Sequence, residues 1–393
     1  MVGPVLSRIG LSSCLLELAN KLNSTYSHGR YWTMPKLSAL NPPQYDPSTI
    51  FEVYRGMFGS QLLTAAIAHF RVFEQFESGP LSFAALREKL GLELRPATVL
   101  VTGLRAFGLL LPADGVAFTH GHEGSFIPSP IALEHLRESS YFDISGYLGL
   151  AAQDPGVLAM VERLRTNRPA GLKQDEAGAA FIFRKDLASA METESAARHL
   201  TLSLAGRAKN VAPSLAATVP LSNAQHLLDI GGGSGIYAIA CLQKNPHLRA
   251  TVLDRPEVLK VAAEFAQAYG VTDRLNLQPH DMWSDPFPAA DVYLLSNILH
   301  DWDIPQCEQL LRRCSAAMPA GARLLIHDVF LNDSLDGPLP VALYGTHLFM
   351  LTEGRAYSAA EYRAMLQAAS LNAGPDIIPS LIHCGVLTAY KIS

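Results

Sequence analysis

Apolar residues recur every three to four positions from Ile50 onward: Ile50, Phe51, Tyr54, Met57, Phe58 and Leu62, continued by Leu63, Ile67, Phe70 and Phe73. That period predicts helix with one buried face, starting at Asp46-Pro47-Ser48. Ser82 is placed to cap a short helix ending at Gly91, and a second helix is expected from about Pro96 to Gly108. Leu109–Leu111 and Val116–Phe118 then flank Asp114-Gly115, a tight-turn signal between short apolar segments. Two short helices and a hairpin are the outline of a winged helix. Further helices are expected over 130–205, broken at Asp154-Pro155 and across Asn167-Arg168-Pro169-Ala170-Gly171.

The pattern changes near Val219-Pro220. Short apolar runs at Gln225–Ile230, Arg249–Leu253, Leu275–Pro279, Val292–Ser296 and Ala322–Asp328 alternate with helical segments. Alternation of this kind predicts a parallel sheet with helices on both faces, and a ligand site outside the carboxyl ends of its strands. The expected organisation is an extension over 1–45, a helical region with a winged-helix outline over 46–205, and an α/β domain over 206–393. In the extension, Ile9–Ala19 is interrupted by Glu17 and makes a poor signal peptide, and Met34 opens a stretch that reads like an ordinary start. A mobile extension or a misplaced start codon is expected rather than a targeting segment.

Charged residues make up 17% of the 393 residues, below the roughly 25% of average chains. A surface so lean in charge points to a covered interface, most simply a homodimer. The formal charge of −5 leaves no electrostatic footprint for nucleic acid. The second helix of the winged-helix outline offers only Arg95 and Arg105 to phosphates, so a structural or dimerising role is expected there. No apolar run is long enough to span a bilayer, and a cytoplasmic location is expected. Cys14, Cys241, Cys307, Cys314 and Cys384 are scattered without metal-ligand spacing, so reduced thiols and no metal are expected.

The strongest local signal is Leu227-Leu228-Asp229-Ile230-Gly231-Gly232-Gly233-Ser234-Gly235, a strand running into a glycine-rich turn and a helix. The dinucleotide fingerprint G-x-G-x-x-G does not fit, because Ile236 stands where its third glycine would fall. Asp229 beside the loop suits a cationic aminoacyl group, which S-adenosylmethionine carries, better than a pyrophosphate. Asp254 ends the next strand, where a carboxylate can accept from ribose hydroxyls or cap the helix after Pro256. Asp281 can receive an adenine amine, with Met282 and Trp283 covering the ring. His300 follows the fourth strand in Ser296-Asn297-Ile298-Leu299-His300-Asp301-Trp302, where chemistry is expected in this architecture. Of the other histidines, His120 and His122 read as surface residues, and His327 and His347 as weaker candidates.

Asp-Ile-Gly-Gly-Gly-Ser-Gly, Asp254, Asp281-Met282 and Leu299-His300-Asp301-Trp302 together resemble the plant-type small-molecule O-methyltransferases, which include caffeic acid and acetylserotonin O-methyltransferases and bacterial relatives. The resemblance covers roughly Pro47 to the C-terminus. It implies a Rossmann-like class I methyltransferase domain behind a helical, winged-helix-like dimerisation domain. It implies S-adenosylmethionine as cofactor, S-adenosylhomocysteine as product, and a small hydroxylated, aromatic acceptor. Carried over by position, His300 is the general base and Asp328 its orienting acid. Gly231, Asp254, Asp281 and Met282 contact the cofactor by the same carry-over, and Asp229, Gly233, Gly235, Trp283 and Ser296 are further cofactor-binding candidates. The pattern departs at Ser296, where many members carry Lys or Arg, and at Ala356, where plant members carry a second acid beside the histidine. Met191, Tyr344, His347, Phe349 and Met350 are candidates for the acceptor pocket, although aromatic and methionine side chains serve equally in a core. Rival readings keep cofactor binding but change the reaction to hydroxylation, decarboxylation or cyclisation, or make the chain a winged-helix regulator or a nicotinamide oxidoreductase.

Overall fold

The computed structural model describes residues 37–113, 124–168 and 194–391. The first apolar stripe forms helix in pieces: α1 (Ser48–Arg55) stops at Gly56, α2 (Gly59–Thr64) follows, and a wide turn over Ala65–His69 ends the segment. The expected buried face is only partly realised. Leu62, Ile67, Phe70 and Phe73 are buried, whereas Ile50, Tyr54 and Met57 are half exposed or more. The non-helical turn from Gly56 to Phe58 separates the two halves of the stripe, so α1 does not bury its apolar side in its own chain.

Ser82 accepts a hydrogen bond from Ala85 N–H at 3.1 Å and starts α3 (Phe83–Leu90), which Gly91 closes at φ +64°. α4 (Leu94–Ala106) is buried on nearly every side. Its two arginines do not face solvent. Arg95 bonds Asn167 and pairs with Glu353 at 3.2 Å, and Arg105 donates to the Ser334 carbonyl and lies 3.7 Å from Asp336. Neither can serve a phosphate.

β1 (Leu81–Ser82), β2 (Leu110–Pro112) and β3 (Ser125–Pro128) form a small antiparallel sheet in the order β1-β3-β2. The expected turn at Asp114-Gly115 and strand at Val116–Phe118 lie outside the described residues, as do His120 and His122. Helices α5 (Pro130–His135), α6 (Ser145–Leu148) and α7 (Pro155–Thr166) follow. Asp154 caps α7, accepting from Gly156 N–H at 2.8 Å. α8 (Glu194–Thr218) then runs without a break past position 205, where a domain boundary was expected, and packs on the α/β portion.

Beyond α8 the inner strands of the sheet are buried along nearly their whole length, which is why they read as continuous apolar runs, whereas the edge strands at Leu275–Pro279 and Leu371–Pro379 are partly exposed. β4 (His226–Ile230), β5 (Arg249–Asp254), β6 (Leu275–Pro279), β7 (Val292–Ser296) and β8 (Arg323–Leu331) are parallel. β10 (Leu371–Pro379) and β11 (Cys384–Lys391), an unexpected hairpin, add antiparallel strands, giving the order β10-β11-β8-β7-β4-β5-β6. A short β9 (Tyr357–Ser358) pairs off the path with β8. α8, α9 (Ile236–Lys244) and α10 (Pro256–Ala268) cover one face, and α11 (Ile304–Ala317) and α13 (Ala359–Ala368) the other. This is a Rossmann-like α/β fold, with strand order reversing between β4 and β7, the place where such sheets open a crevice.

α12 (Leu339–Leu351) ties the two portions together. It packs on α1 and α4, and its Val341, Ala342 and Phe349 share one core with Leu62, Leu100 and Leu104. Among the described residues no helix is long and apolar enough to cross a membrane.

Candidate active site

The chain leaves β4 through Gly231, Gly233 and Gly235 at φ +65°, +60° and +71°, a region that side chains rarely enter. Gly231 is doubly constrained, because a Cβ there would stand 2.6 Å from Ile298 Cδ1. Gly235 begins α9. Asp229 does not face the cleft as expected. It belongs to β4, is fully buried, and packs against Gly232 with neither oxygen making a well-formed hydrogen bond. Burial and, after it, the charge of Asp254 push its pKa up to about 7, against the Ala238 N–H.

Beside the loop a cleft of about 1010 Å3 opens at the switch point. Gly231, Gly233, Asp254, Asp281, Met282 and Trp283 line one end of it, while Gly235, like Asp229, lies off its wall. Asp254 accepts from Gly233 N–H at 2.8 Å and from Arg255 N–H at 2.7 Å, so it also holds the loop. Asp281 is exposed and caps its own turn, accepting from Trp283 N–H and the Ser284 hydroxyl at 2.9 Å each. Trp283 meets Trp302 edge-on at 4.6 Å.

His300 sits in a short turn after β7, is 4% exposed, and lines the same cleft. Its Nδ1 lies 2.6 Å from Asp328 Oδ1, within the neighbouring β8. Asp328 is fully buried and also accepts from Val329 N–H at 2.8 Å and the Tyr362 hydroxyl at 3.1 Å. Burial alone would raise the Asp328 pKa, but His300 and these donors outweigh it and lower it. For His300, burial works downward, while Asp328 and then Asp301 outweigh it, so the net shift is upward. The Asp328 bond assigns the proton to Nδ1 and leaves Nε2 as the basic nitrogen. Asp301 Oδ1 is 3.7 Å from Nε2, so a second carboxylate does stand by the ring although Ala356 does not supply it.

Ser296 hydrogen-bonds His327 Nδ1 at 2.8 Å and accepts from the Asn297 amide at 3.0 Å. Arg207 of α8 reaches the neighbouring Asn297 Oδ1 at 2.5 Å and Cys384 Sγ at 3.3 Å, with its Nε buried and unpartnered among the described residues. His327 is fully buried with a pKa pushed down to about 3 by burial and then by Arg207, so it stays neutral.

α12 contributes the far wall, and its helical period separates the acceptor-pocket candidates. Tyr344, His347, Leu348 and Leu351 line the cleft. Phe349 and Met350 face the other way: Phe349 is fully buried beneath Arg163, whose guanidinium lies 5.0 Å from its ring, and Met350 packs on the helical core. Met191 lies outside the described residues. Sequence reasoning missed Arg207, Ile298 and Trp302, and also Phe51, Tyr54 and Arg55 of α1, all of which line the cleft. Arg55 had a legible signal, a cation on an otherwise apolar stripe. Among the described residues no group of three or more His, Cys, Asp or Glu side chains is arranged to hold a metal ion.

A family model described as an O-methyltransferase domain matches residues 178–372. The 3-hydroxy-5-methyl-1-naphthoate 3-O-methyltransferase of Streptomyces sahachiroi is 32% identical over 335 residues, covering 84% of this chain and 91% of that protein. Acetylserotonin O-methyltransferase of Bos taurus is 38% identical over a shorter stretch, 36% of this chain and 40% of that protein. The crystal structure of an O-methyltransferase family 2 protein from Planctomyces limnophilus DSM 3776, in complex with apigenin, superposes with a TM-score of 0.79 at 44% identity. The match covers 91% of this chain and 100% of that one. The chain belongs to the S-adenosylmethionine-dependent O-methyltransferase family.

Proposed function

We propose that this enzyme methylates a hydroxyl group of a flat aromatic molecule, with His300 as general base and Asp328 as its orienting acid. The observation that carries the reading is the 2.6 Å bond between His300 and Asp328, in the wall of the cleft that the glycine loop also lines. The apigenin bound to the Planctomyces relative and the naphthoate named for the Streptomyces one are both flat hydroxylated aromatics.

The residues present fit S-adenosylmethionine. Gly231 and Gly233 leave a cradle that side chains would fill, Asp254 offers a carboxylate at its rim, and Met282 and Trp283 give apolar cover. Arg207 supplies, for the carboxylate of the methionyl group, the positive charge that Ser296 lacks. Asp229 acts from behind the loop rather than by contact. When bound, the cofactor supplies a methyl group on a sulfonium that is already an activated leaving group.

This chain's own work is alignment and proton removal. A phenol with a pKa near ~10 is mostly protonated at neutral pH. Nε2 of His300 would accept its proton as the oxygen takes up the methyl group that the bound cofactor would supply, and Asp328 would stabilise the resulting imidazolium. Tyr344, His347, Leu348 and Leu351 flank the ring of the acceptor. The exposed apolar side chains of α1 (Ile50, Val53) and of the turn after it (Met57), with Tyr141 and Tyr147, fit a homodimer interface; light scattering at twice the chain mass is the expected result.

The test is His300→Ala. Turnover of a phenolic acceptor with methyl-labelled cofactor should fall about 10²- to 10⁴-fold, while S-adenosylhomocysteine affinity by calorimetry stays within about twofold. Unchanged turnover removes His300 from the mechanism, and a product that has not gained one CH2 unit by mass spectrometry removes methyl transfer.

A further inference from the structure

Charged side chains border the cleft throughout: Asp254, Arg255, Asp281 and Asp285 by the loop, and Asp301, Arg207 and Arg55 beyond it. Of the two guanidiniums beyond the loop, Arg55 meets no carboxylate at hydrogen-bond distance among the described residues. Arg55 is 5% exposed, on α1, and lines the cleft. Its Nη1 makes one long bond to the Ile382 carbonyl at 3.4 Å, and its Nη2 is buried with no hydrogen-bond partner among the described residues. Glu52, one turn earlier on the same helix, is taken by His383 at 2.5 Å. The guanidinium lies over the Tyr344 ring at 4.0 Å, but a π face does not satisfy an in-plane N–H. The other charged groups that act on it are Arg207, which repels it, and Asp328, which His300 already holds.

A buried guanidinium without an anion is costly, and a bound ligand that supplies one recovers that cost. Arginine stays charged when buried and grips a carboxylate through two parallel N–H bonds. Tyr344 fixes where such an anion would be relative to the chemistry: its ring meets Arg55 on one side and the His300 ring, edge-on at 5.7 Å, on another. A ligand lying along Tyr344 thus has its two ends at a base and at a cation. His347 borders the same space, with Nδ1 buried and unpartnered and a pKa pushed down to about 4 by burial and by Arg55. It therefore stands ready as a neutral hydrogen-bonding group rather than a third cation.

We propose that Arg55 is an anion subsite and that the acceptor is an aromatic acid, its carboxylate on Arg55 and its hydroxyl towards His300. This rests on the reading of the cleft as a methyl-acceptor site, and it narrows the acceptor from hydroxylated aromatics in general to those bearing a carboxylate.

Calorimetry on the full chain loaded with S-adenosylhomocysteine tests it. The probes are 6-hydroxy-2-naphthoate, 3-hydroxy-1-naphthoate, the methyl ester of each, and 2-naphthol, the phenol both acids become without their carboxyl group. At least one acid should bind about tenfold or more tightly than its ester and than 2-naphthol, the order expected for one charge-assisted pair. Arg55→Gln should abolish that preference with S-adenosylhomocysteine affinity unchanged, and Arg55→Lys should keep part of it. Equal binding of acid, ester and naphthol overturns the proposal, as does failure of both acids to bind, or a preference that survives Arg55→Gln. If Arg55→Gln does not fold, the wild-type comparison of acid with ester decides alone. His300→Ala separates the two readings: it should stop turnover and leave the preference for acids intact. Full turnover in that variant would remove the base while leaving the Arg55 subsite standing.

Discussion

The two ends of the cleft are built by different means. The glycine-loop end is made of backbone: positive φ angles at Gly231 and Gly233, amides clamped by Asp254, and a turn capped by Asp281. Each piece lies at the tip of a strand, and neighbouring tips follow one another in the sequence. The acceptor end is made of side chains from α1, α8 and α12, brought together from distant parts of the chain, as in the 5.5 Å ring contact of Tyr54 with His347. A cofactor that never varies is met by local conformations that fix one another. An acceptor that differs between relatives is met by exchangeable side chains on rigid helices. His300, between the two, takes its place from β7 and its chemistry from β8.

Changes at the junction should cost most. Asp328→Asn should lower kcat/KM about a hundredfold or more, because the ring loses its orienting charge. The sign of its pH effect follows from the upward shift of His300. The reactive form is neutral, so activity rises as pH climbs through that raised pKa, and removing Asp328 should move the acid limb to lower pH. A pH–rate profile with an unmoved limb would break the link between the two residues.

Gly231→Ala should act at the loop end alone. A Cβ there meets Ile298 Cδ1 and a backbone at φ +65° disfavours alanine, so S-adenosylhomocysteine binding should weaken about tenfold. Acceptor binding to the cofactor-saturated protein should be unchanged, and a parallel loss would show that the ends are not separate.

The smallest effect on the cleft is expected from Phe349→Ala. The residue is buried against the helical core, so the variant should lose about 3–5 kcal/mol of stability in denaturant unfolding. Its KM for the acceptor should stay within twofold, whereas His347→Ala, one face over on α12, should raise KM. A KM shift in Phe349→Ala would restore it to the pocket from which its orientation removes it.

Much of the loop end was legible because its signals are local. Gly231 and Gly233 are required by the turn they make, Asp254 and Asp281 close strands that read as apolar runs, and His300 follows β7 directly. Where local reading failed, the third dimension had intervened. Asp229 looked like a ligand because it precedes the glycines, yet β4 encloses it. Phe349 and Met350 looked like pocket residues because of their chemistry, yet the turn of α12 aims them at another core. The stripe on α1 was read as buried, yet the break at Gly56 left Ile50 and Met57 facing outward. The hairpin of β10 and β11 left no local mark, since its place beside β8 depends on pairing across more than fifty residues.

Local sequence was enough to place strands β4 to β8, and with them a crevice at the carboxyl edge of a parallel sheet with a glycine turn and a histidine on its rim. Period, capping and glycine conformation act over a few residues and need nothing distant. Tertiary contacts alone set Asp328 against His300, brought Arg207 to Asn297 beside Ser296, and put Arg55 on the cleft wall with its Nη2 unpartnered among the described residues. Those outcomes depend on which helix faces which, and that is settled by packing between parts of the chain that share no local pattern.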